Sequence, residues 1–145
     1  MRADAARNRA RVLDVAYEAF AAEGLSVPID EIARRAGVGA GTVYRHFPTK
    51  EDLFRAVIVE RFRSIVDNGR TLLAESDPAE ALFLFLQSMV LQWGATDKGL
   101  VDALAGLGID VNGVVHEAEG EFLGMLGDLL AAAQHAGAVR RDVTV

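Results

Sequence analysis

Between Ile29 and Phe47 the chain reads IDEIARRAGVGAGTVYRHF, and this short run restricts the fold more than any other part of the sequence. Ile29, Ile32, Ala33 and Ala36 recur at helical spacing and form the buried side of a short helix. Pro28 suits the first position of that helix, and Asp30 and Glu31 follow where the helix dipole favours anions. Gly37 ends it, because glycine enters the left-handed region without a Cβ penalty. A second, very short helix is expected from Ala40 to about His46, with Val43 and Phe47 inward, and Pro48 forbids its continuation. From Gly37 to Val43 there is length only for a sharp turn, so the second helix must cross the first steeply. Its outer face then carries Thr42, Arg45 and His46, with Tyr44 toward one edge.

Gly37, Gly39 and Gly41 also invite comparison with loops that cradle nucleotide phosphates. Such loops follow a β-strand or carry a lysine and a Ser/Thr after the last glycine. Here IARRA precedes and is helical, and Gly41 is followed by Thr42 with no lysine, so that chemistry is set aside.

The rest of the chain is also helical in pattern. From Asn8, the residues Val12, Leu13, Ala16, Tyr17 and Phe20 make an amphipathic stripe that stops near Gly24. Thr49-Lys50-Glu51-Asp52 is a cap with an acid three residues later, and it opens a helix carrying Leu53, Phe54, Val57, Ile58, Phe62, Ile65 and Val66. Asn68-Gly69 is expected to close or kink it. Asp77-Pro78-Ala79-Glu80 starts another helix, running to about Trp93. Its apolar residues lie almost all round, which predicts a central helix. LVDALAGLGID reads as a short helix and a loop, and a last helix runs from about Asn112 to Ala136, ending at Gly137. The fold class is all-α, with a three-helix head and a helical-bundle body.

Composition excludes several functions. The chain has 145 residues, half of them hydrophobic, enough for a real core. It has no cysteine, so thiol chemistry, disulfides and thiolate metal sites are unavailable. The arginine-rich start lacks the apolar core of an export signal, and the longest apolar run, ALFLFL, is cut by Gln87 and Ser88. A membrane span needs roughly 20 apolar residues, so a soluble, cytoplasmic protein is expected. The net charge is −6, yet residues 1–50 hold eight Lys/Arg against six Asp/Glu, or +2, which leaves −8 for residues 51–145. A weakly basic head before an acidic body fits a chain that offers only its head to a polyanion.

The segment VPIDEIARRAGVGAGTVYRHFPTKEDLF resembles the DNA-binding head of the tetracycline-repressor (TetR) family of bacterial transcriptional regulators, with IA, AGV, GT-x-Y, HF and K-E-x-L in the family's order and spacing. The likeness covers about residues 8–66. It implies a helix-turn-helix DNA-binding domain over 1–50, with its motif at about 28–47, and an effector-binding, regulatory domain over 51–145. It further implies a cytoplasmic homodimer that binds a palindromic double-stranded operator and answers a small-molecule effector, most simply as a repressor, with activation as the alternative. By the same resemblance Thr42, Tyr44, His46 and Lys50 contact the DNA backbone, while Ala40, Gly41 and Arg45 reach toward bases. Arg45 is the best candidate for reading guanine, since its guanidinium fork bonds bidentately in the major groove. Val27-Pro28 replaces the family's frequent Ser/Thr cap, and Gly39-Ala40-Gly41 is lighter than the common Ser-Lys-Gly. Arg34 and Arg35 are either a solvated face or part of this surface.

The body is less informative. Phe85, Met89, Trp93, His116 and Phe122 form a candidate apolar ligand pocket or, alternatively, plain core. His116 and Glu119 sit one helical turn apart, but a third metal ligand is lacking, so no metal and no cofactor is expected. No nucleophile, base and acid are grouped as catalysis requires, so an enzyme is not expected. The competing reading is a helical ligand-binding or protein-interaction module in which the helix-turn-helix is only scaffold. The run HAGAVRRDVTV looks like the family's exit from a long helix, beyond which two dimerisation helices usually follow; these are expected to be absent from the 145 residues.

Overall fold

A computed structural model of the chain describes residues 2–93 and 112–145. Among them are six α-helices: α1 (Arg2–Glu23), α2 (Ile29–Ala36), α3 (Ala40–His46), α4 (Lys50–Glu75), α5 (Ala81–Ser88) and α6 (Asn112–His135). A π-helical turn, Met89–Trp93, continues α5. The chain divides into two compact units within α4: residues 2–60 fall in the first, and 61–93 with 112–145 in the second, among those described. LVDALAGLGID lies outside the described residues. No described helix is long and apolar enough to cross a membrane.

The first unit closes around the stripes expected from the sequence. Leu13, Ala16 and Phe20 of α1, Ile32 and Ala33 of α2, Val43 of α3, and Leu53, Phe54 and Val57 of α4 are all buried, and α1 packs against α2 and α3. Phe20 and Phe54 pack edge to face with centroids 5.7 Å apart, the arrangement that the ring quadrupoles favour. In the second unit Ile65 and Val66 of α4, Ala81, Leu82 and Phe85 of α5, and Met125, Leu129 and Ala133 of α6 form one buried cluster.

Several sequence expectations are corrected. α1 starts at Arg2, six residues before the apolar stripe, because RADAARNR is rich in good helix formers even where nothing is buried. Pro28 is the N-cap and not the first helical residue, at φ −66° and ψ 147°. α4 runs unbroken through Asn68-Gly69. Gly69 is buried there, and a Cβ placed on it would overlap Sδ of Met125 and stand 2.9 Å from its Cγ and Cε. The glycine permits α6 to approach α4; it does not end the helix.

After α4, Asp77 Oδ1 accepts the amide of Ala79 at 2.8 Å, so the cap forms as read, but residues 78–80 make a turn and regular α-helix begins at Ala81. α5 is not central. Ala81, Leu82 and Phe85 are buried, whereas Phe83, Leu84 and Leu86, and Val90 and Leu91 beyond them, are exposed. Only one side of α5 faces the cluster with α4 and α6, and an all-round apolar pattern cannot specify which side that is.

Candidate nucleic-acid interface

The unit built by α2 and α3 owes its shape to its ends. Pro28 has no amide hydrogen and no side-chain cap, and its carbonyl accepts the amides of Glu31 and Ile32. At the other end Gly37 takes φ 70°, and Val38 N donates to Ala33 O at 3.0 Å while Gly37 N donates to Arg34 O at 3.2 Å. These paired bonds satisfy the last carbonyls and reverse the chain within one residue. Gly39 then caps α3, accepting from Thr42 N at 3.0 Å. Phe47 closes α3 with a 2.8 Å bond to Val43 O, and Pro48 follows. Because Val43 and Phe47 are buried, the helical period turns Tyr44, Arg45 and His46 outward. α4 opens on a reciprocal capping box: Asp52 N donates to Thr49 Oγ1 at 3.1 Å, and Thr49 N donates to Asp52 Oδ2 at 3.1 Å.

Thr42, Arg45 and His46 line one open trough of roughly 430 Å³. Its other lining residues are Asp4, Ala5 and Asn8 of α1. Arg45 Nε donates back to Gly41 O at 3.2 Å on the exposed face of α3, a bond that leaves the donors of its two terminal amino groups to other partners. A Cβ on Gly41 would meet nothing within 4 Å, so backbone approach there is unobstructed. Ala40 is half-buried, and Tyr44 is 44% exposed but lies outside the trough lining. Lys50 also lies outside it. Its Nζ donates to Leu25 O at 2.9 Å in a half-buried position, tying the start of α4 to the loop between α1 and α2.

Arg34 and Arg35 are engaged within the chain. Arg34 grips Glu31 through Nε at 2.9 Å and Nη2 at 2.7 Å, and Arg35 Nε reaches the same carboxylate at 2.9 Å. Arg35 also bonds Glu23 of α1 through both terminal nitrogens. Hydrogen bonds from Arg34 and then Arg35 lower the Glu31 carboxyl from 4.5 to about 2. The Arg35 hydrogen bond likewise lowers Glu23. The network joins α1 to α2 and favours the structural reading of these two arginines.

Two features of the first unit escaped the sequence reading. Arg9 lies over the ring of Phe47 at 5.3 Å, a cation–π contact between α1 and the end of α3. Arg9 falls in register with Leu13, Ala16 and Phe20, but it is exposed, and nothing in the sequence names the ring it covers. Asp4 and Ala5 fall before Asn8, where the apolar stripe of α1 begins, and Asn8 has no apolar periodicity of its own, so the sequence does not mark any of the three as lining the trough.

In the second unit Phe85, Met89 and Phe122 gather at one cluster, with the Phe85 and Phe122 centroids 6.3 Å apart. His116 does not join them: its side chain is 89% exposed and its Nδ1 is 3.9 Å from Glu119 Oε2. The Trp93 side chain lies outside the described residues. A half-buried polar pair beside the cluster was not foreseen. Asn68 Nδ2 donates to Ser88 Oγ at 3.0 Å, and Ser88 Oγ to Phe85 O at 2.7 Å.

Two family models match the chain: "Bacterial regulatory proteins, tetR family" over residues 12–57, and "Transcriptional regulator SbtR-like, C-terminal domain" over residues 77–145. The crystal structure of the TetR transcription regulatory protein from Mycobacterium vanbaalenii superposes with a TM-score of 0.91 at 66% identity, covering 98% of this chain and 84% of that one. The HTH-type transcriptional regulator SrpR of Pseudomonas putida is 31% identical over 140 residues. A Staphylococcus aureus HTH-type regulator is 38% identical over 76 residues. The alignments take in 93% and 47% of this chain, and they span 65% and 41% of those two relatives' own lengths.

Proposed function

This chain belongs to the tetR family of bacterial regulatory proteins, and we propose that it is an operator-binding repressor released from DNA by a small-molecule effector. The observation that carries the reading is the α2–Gly37–α3 unit. Val43 and Phe47 anchor α3 from within while Thr42, Arg45 and His46 share one open trough. A helix so held enters the major groove with its first residues against base edges. Arg45 reads a base, Thr42, Tyr44 and His46 hold the backbone, and the open approach at Ala40 and Gly41 lets the helix sit close. Lys50 contributes one phosphate contact with the donors that Leu25 O leaves available.

Members of the family bind DNA and small-molecule effectors and typically dimerise. In this reading two copies in the cytoplasm place their α3 helices in half-sites of a palindrome about one DNA turn apart, roughly 34–36 Å. The head is the helix-turn-helix domain over 1–50, and residues 51–145 form the regulatory domain. The effector binds in the second unit, where the apolar cluster at Phe85, Met89 and Phe122 supports a mainly apolar ligand and the Asn68–Ser88 pair supplies polar groups. Its effect passes along α4, which contributes to both units. Selection of duplexes from a random pool, followed by mobility shift, tests the reading. Enrichment of a motif with dyad symmetry supports it, and a pool that stays unenriched across a range of salt refutes it.

A further inference from the structure

The trough in front of α3 has a second wall made by the first two turns of α1. Asp4, Ala5 and Asn8 line it together with Thr42, Arg45 and His46. Asp4 places a carboxylate on a surface that, in the reading above, receives a polyanion. One turn further along α1, Arg7 Nη2 is paired with Asp4 Oδ1, and both side chains are about two-thirds exposed. The pair therefore occupies a cation that phosphates would otherwise attract and sets an anion in the trough that Arg45 also lines. The same arrangement recurs in this unit, where Arg34 pairs with Glu31, Arg35 with Glu23 and Glu31, and Arg55 with Glu51.

Binding to DNA of arbitrary sequence is almost wholly electrostatic and scales with the number of phosphates neutralised. Specificity is a difference of affinities, so it is gained by penalising wrong sequences as well as by contacting the right one. Resting on α3 as the DNA-facing helix, we infer that Asp4, held by Arg7, is a specificity-determining residue that depresses binding to non-operator DNA. A carboxylate sharing a trough with Arg45 is also placed to accept a hydrogen bond from a cytosine amino group. An operator presenting that group escapes the penalty, and other sequences do not.

An acid in the first turn also favours the helix dipole, so a purely structural role must be separable. The test uses the 145-residue chain and a random-sequence duplex of about 20 base pairs, two helical turns. Binding is followed by fluorescence anisotropy from about 50 to about 200 mM salt. Asp4→Asn is expected to tighten binding about three- to ten-fold and to steepen the log–log salt slope by about one. Arg7→Gln is expected to weaken binding and flatten the slope by about one. Asp14→Asn makes the same charge change on an exposed face of the same helix outside the trough, and it should leave affinity within about two-fold. If Asp4→Asn and Arg7→Gln shift binding in the same direction, fraying of α1 is the cause and the inference fails. It also fails if Asp14→Asn matches Asp4→Asn. A wild-type chain that binds no duplex overturns the DNA reading and this inference together, whereas a salt-sensitive wild type indifferent to Asp4→Asn overturns the inference alone.

Discussion

Replacing Gly69 with alanine tests how α4 and α6 come together in the second unit. Two effects of opposite sign compete. Alanine is favoured over glycine inside a helix by about 1 kcal/mol. Against this, a Cβ at Gly69 would overlap Sδ of Met125 and stand 2.9 Å from its Cγ and Cε. Contacts settle near about 3.5–4.0 Å, so Cγ and Cε of Met125 must retreat by roughly 0.6 Å or more and the overlapping Sδ by about twice that. It has little room, since it is fully buried in a cluster with Ile65, Val66, Phe85 and Leu129.

Overpacking a closed core costs about 1–3 kcal/mol, and methionine's adaptability places this site near the middle, at about 2. The net expectation is a loss of about 1 kcal/mol for Gly69→Ala. Met125→Ala by itself costs about 2–5 kcal/mol through the cavity it leaves. In that background the obstruction is gone, and Gly69→Ala should become stabilising by up to about 1 kcal/mol. The sign reversal corresponds to a coupling of about 2 kcal/mol, well above what non-contacting sites show. Urea midpoints from far-UV circular dichroism, compared at constant slope, measure all four corners of the cycle. A Gly69→Ala chain with a raised midpoint in the wild-type background, or simple additivity with Met125→Ala, would show that the helices do not meet at this glycine.

Arg45→Ala should erase preference at one guanine position of a selected duplex, worth about 1–3 kcal/mol, and competition binding against single-position variants measures it. Lys50→Ala should weaken binding equally on all duplexes and, by removing the bond to Leu25 O, lower head stability by about 1–2 kcal/mol; an unchanged thermal midpoint contradicts that tie. The Glu31 carboxyl, held at about 2 against an ordinary 4.5 by Arg34 and Arg35, contributes its full stabilisation above about 4.5 and loses it as the pH falls toward about 2. Glu31→Gln should therefore lower the thermal midpoint at neutral pH and flatten its acid decline across that window. An acid limb identical in both proteins argues against the network.

Where the sequence reading succeeded, the cause lay within a few residues. Gly37, Pro48 and the Thr49–Asp52 box act on backbone groups at most four positions away, so the C-terminal ends of α2 and α3 and the start of α4 follow from local chemistry. The start of α1 was misplaced because an alanine- and arginine-rich run can be helical without presenting an apolar stripe. Gly69 was misread because glycine in a helix marks either a break or a close approach, and only the position of Met125 distinguishes them. α5 was misread for a related reason: its pattern states that apolar groups lie all round, not which of them another helix covers.

For the candidate site, sequence alone determined that α3 would turn Arg45 and His46 away from Val43 and Phe47, since helical period and two buried anchors leave no other arrangement. The tertiary structure alone decided what stands around that face. It brought Asp4 and Asn8 to the trough, laid Arg9 over Phe47, bound Arg35 to Glu23 and gave Lys50 a partner in Leu25 O. These partners lie far apart along the chain and meet only because α1, α2 and α4 cross around one core. A crossing angle is a property of packed side chains taken together, and no single stretch of sequence contains it.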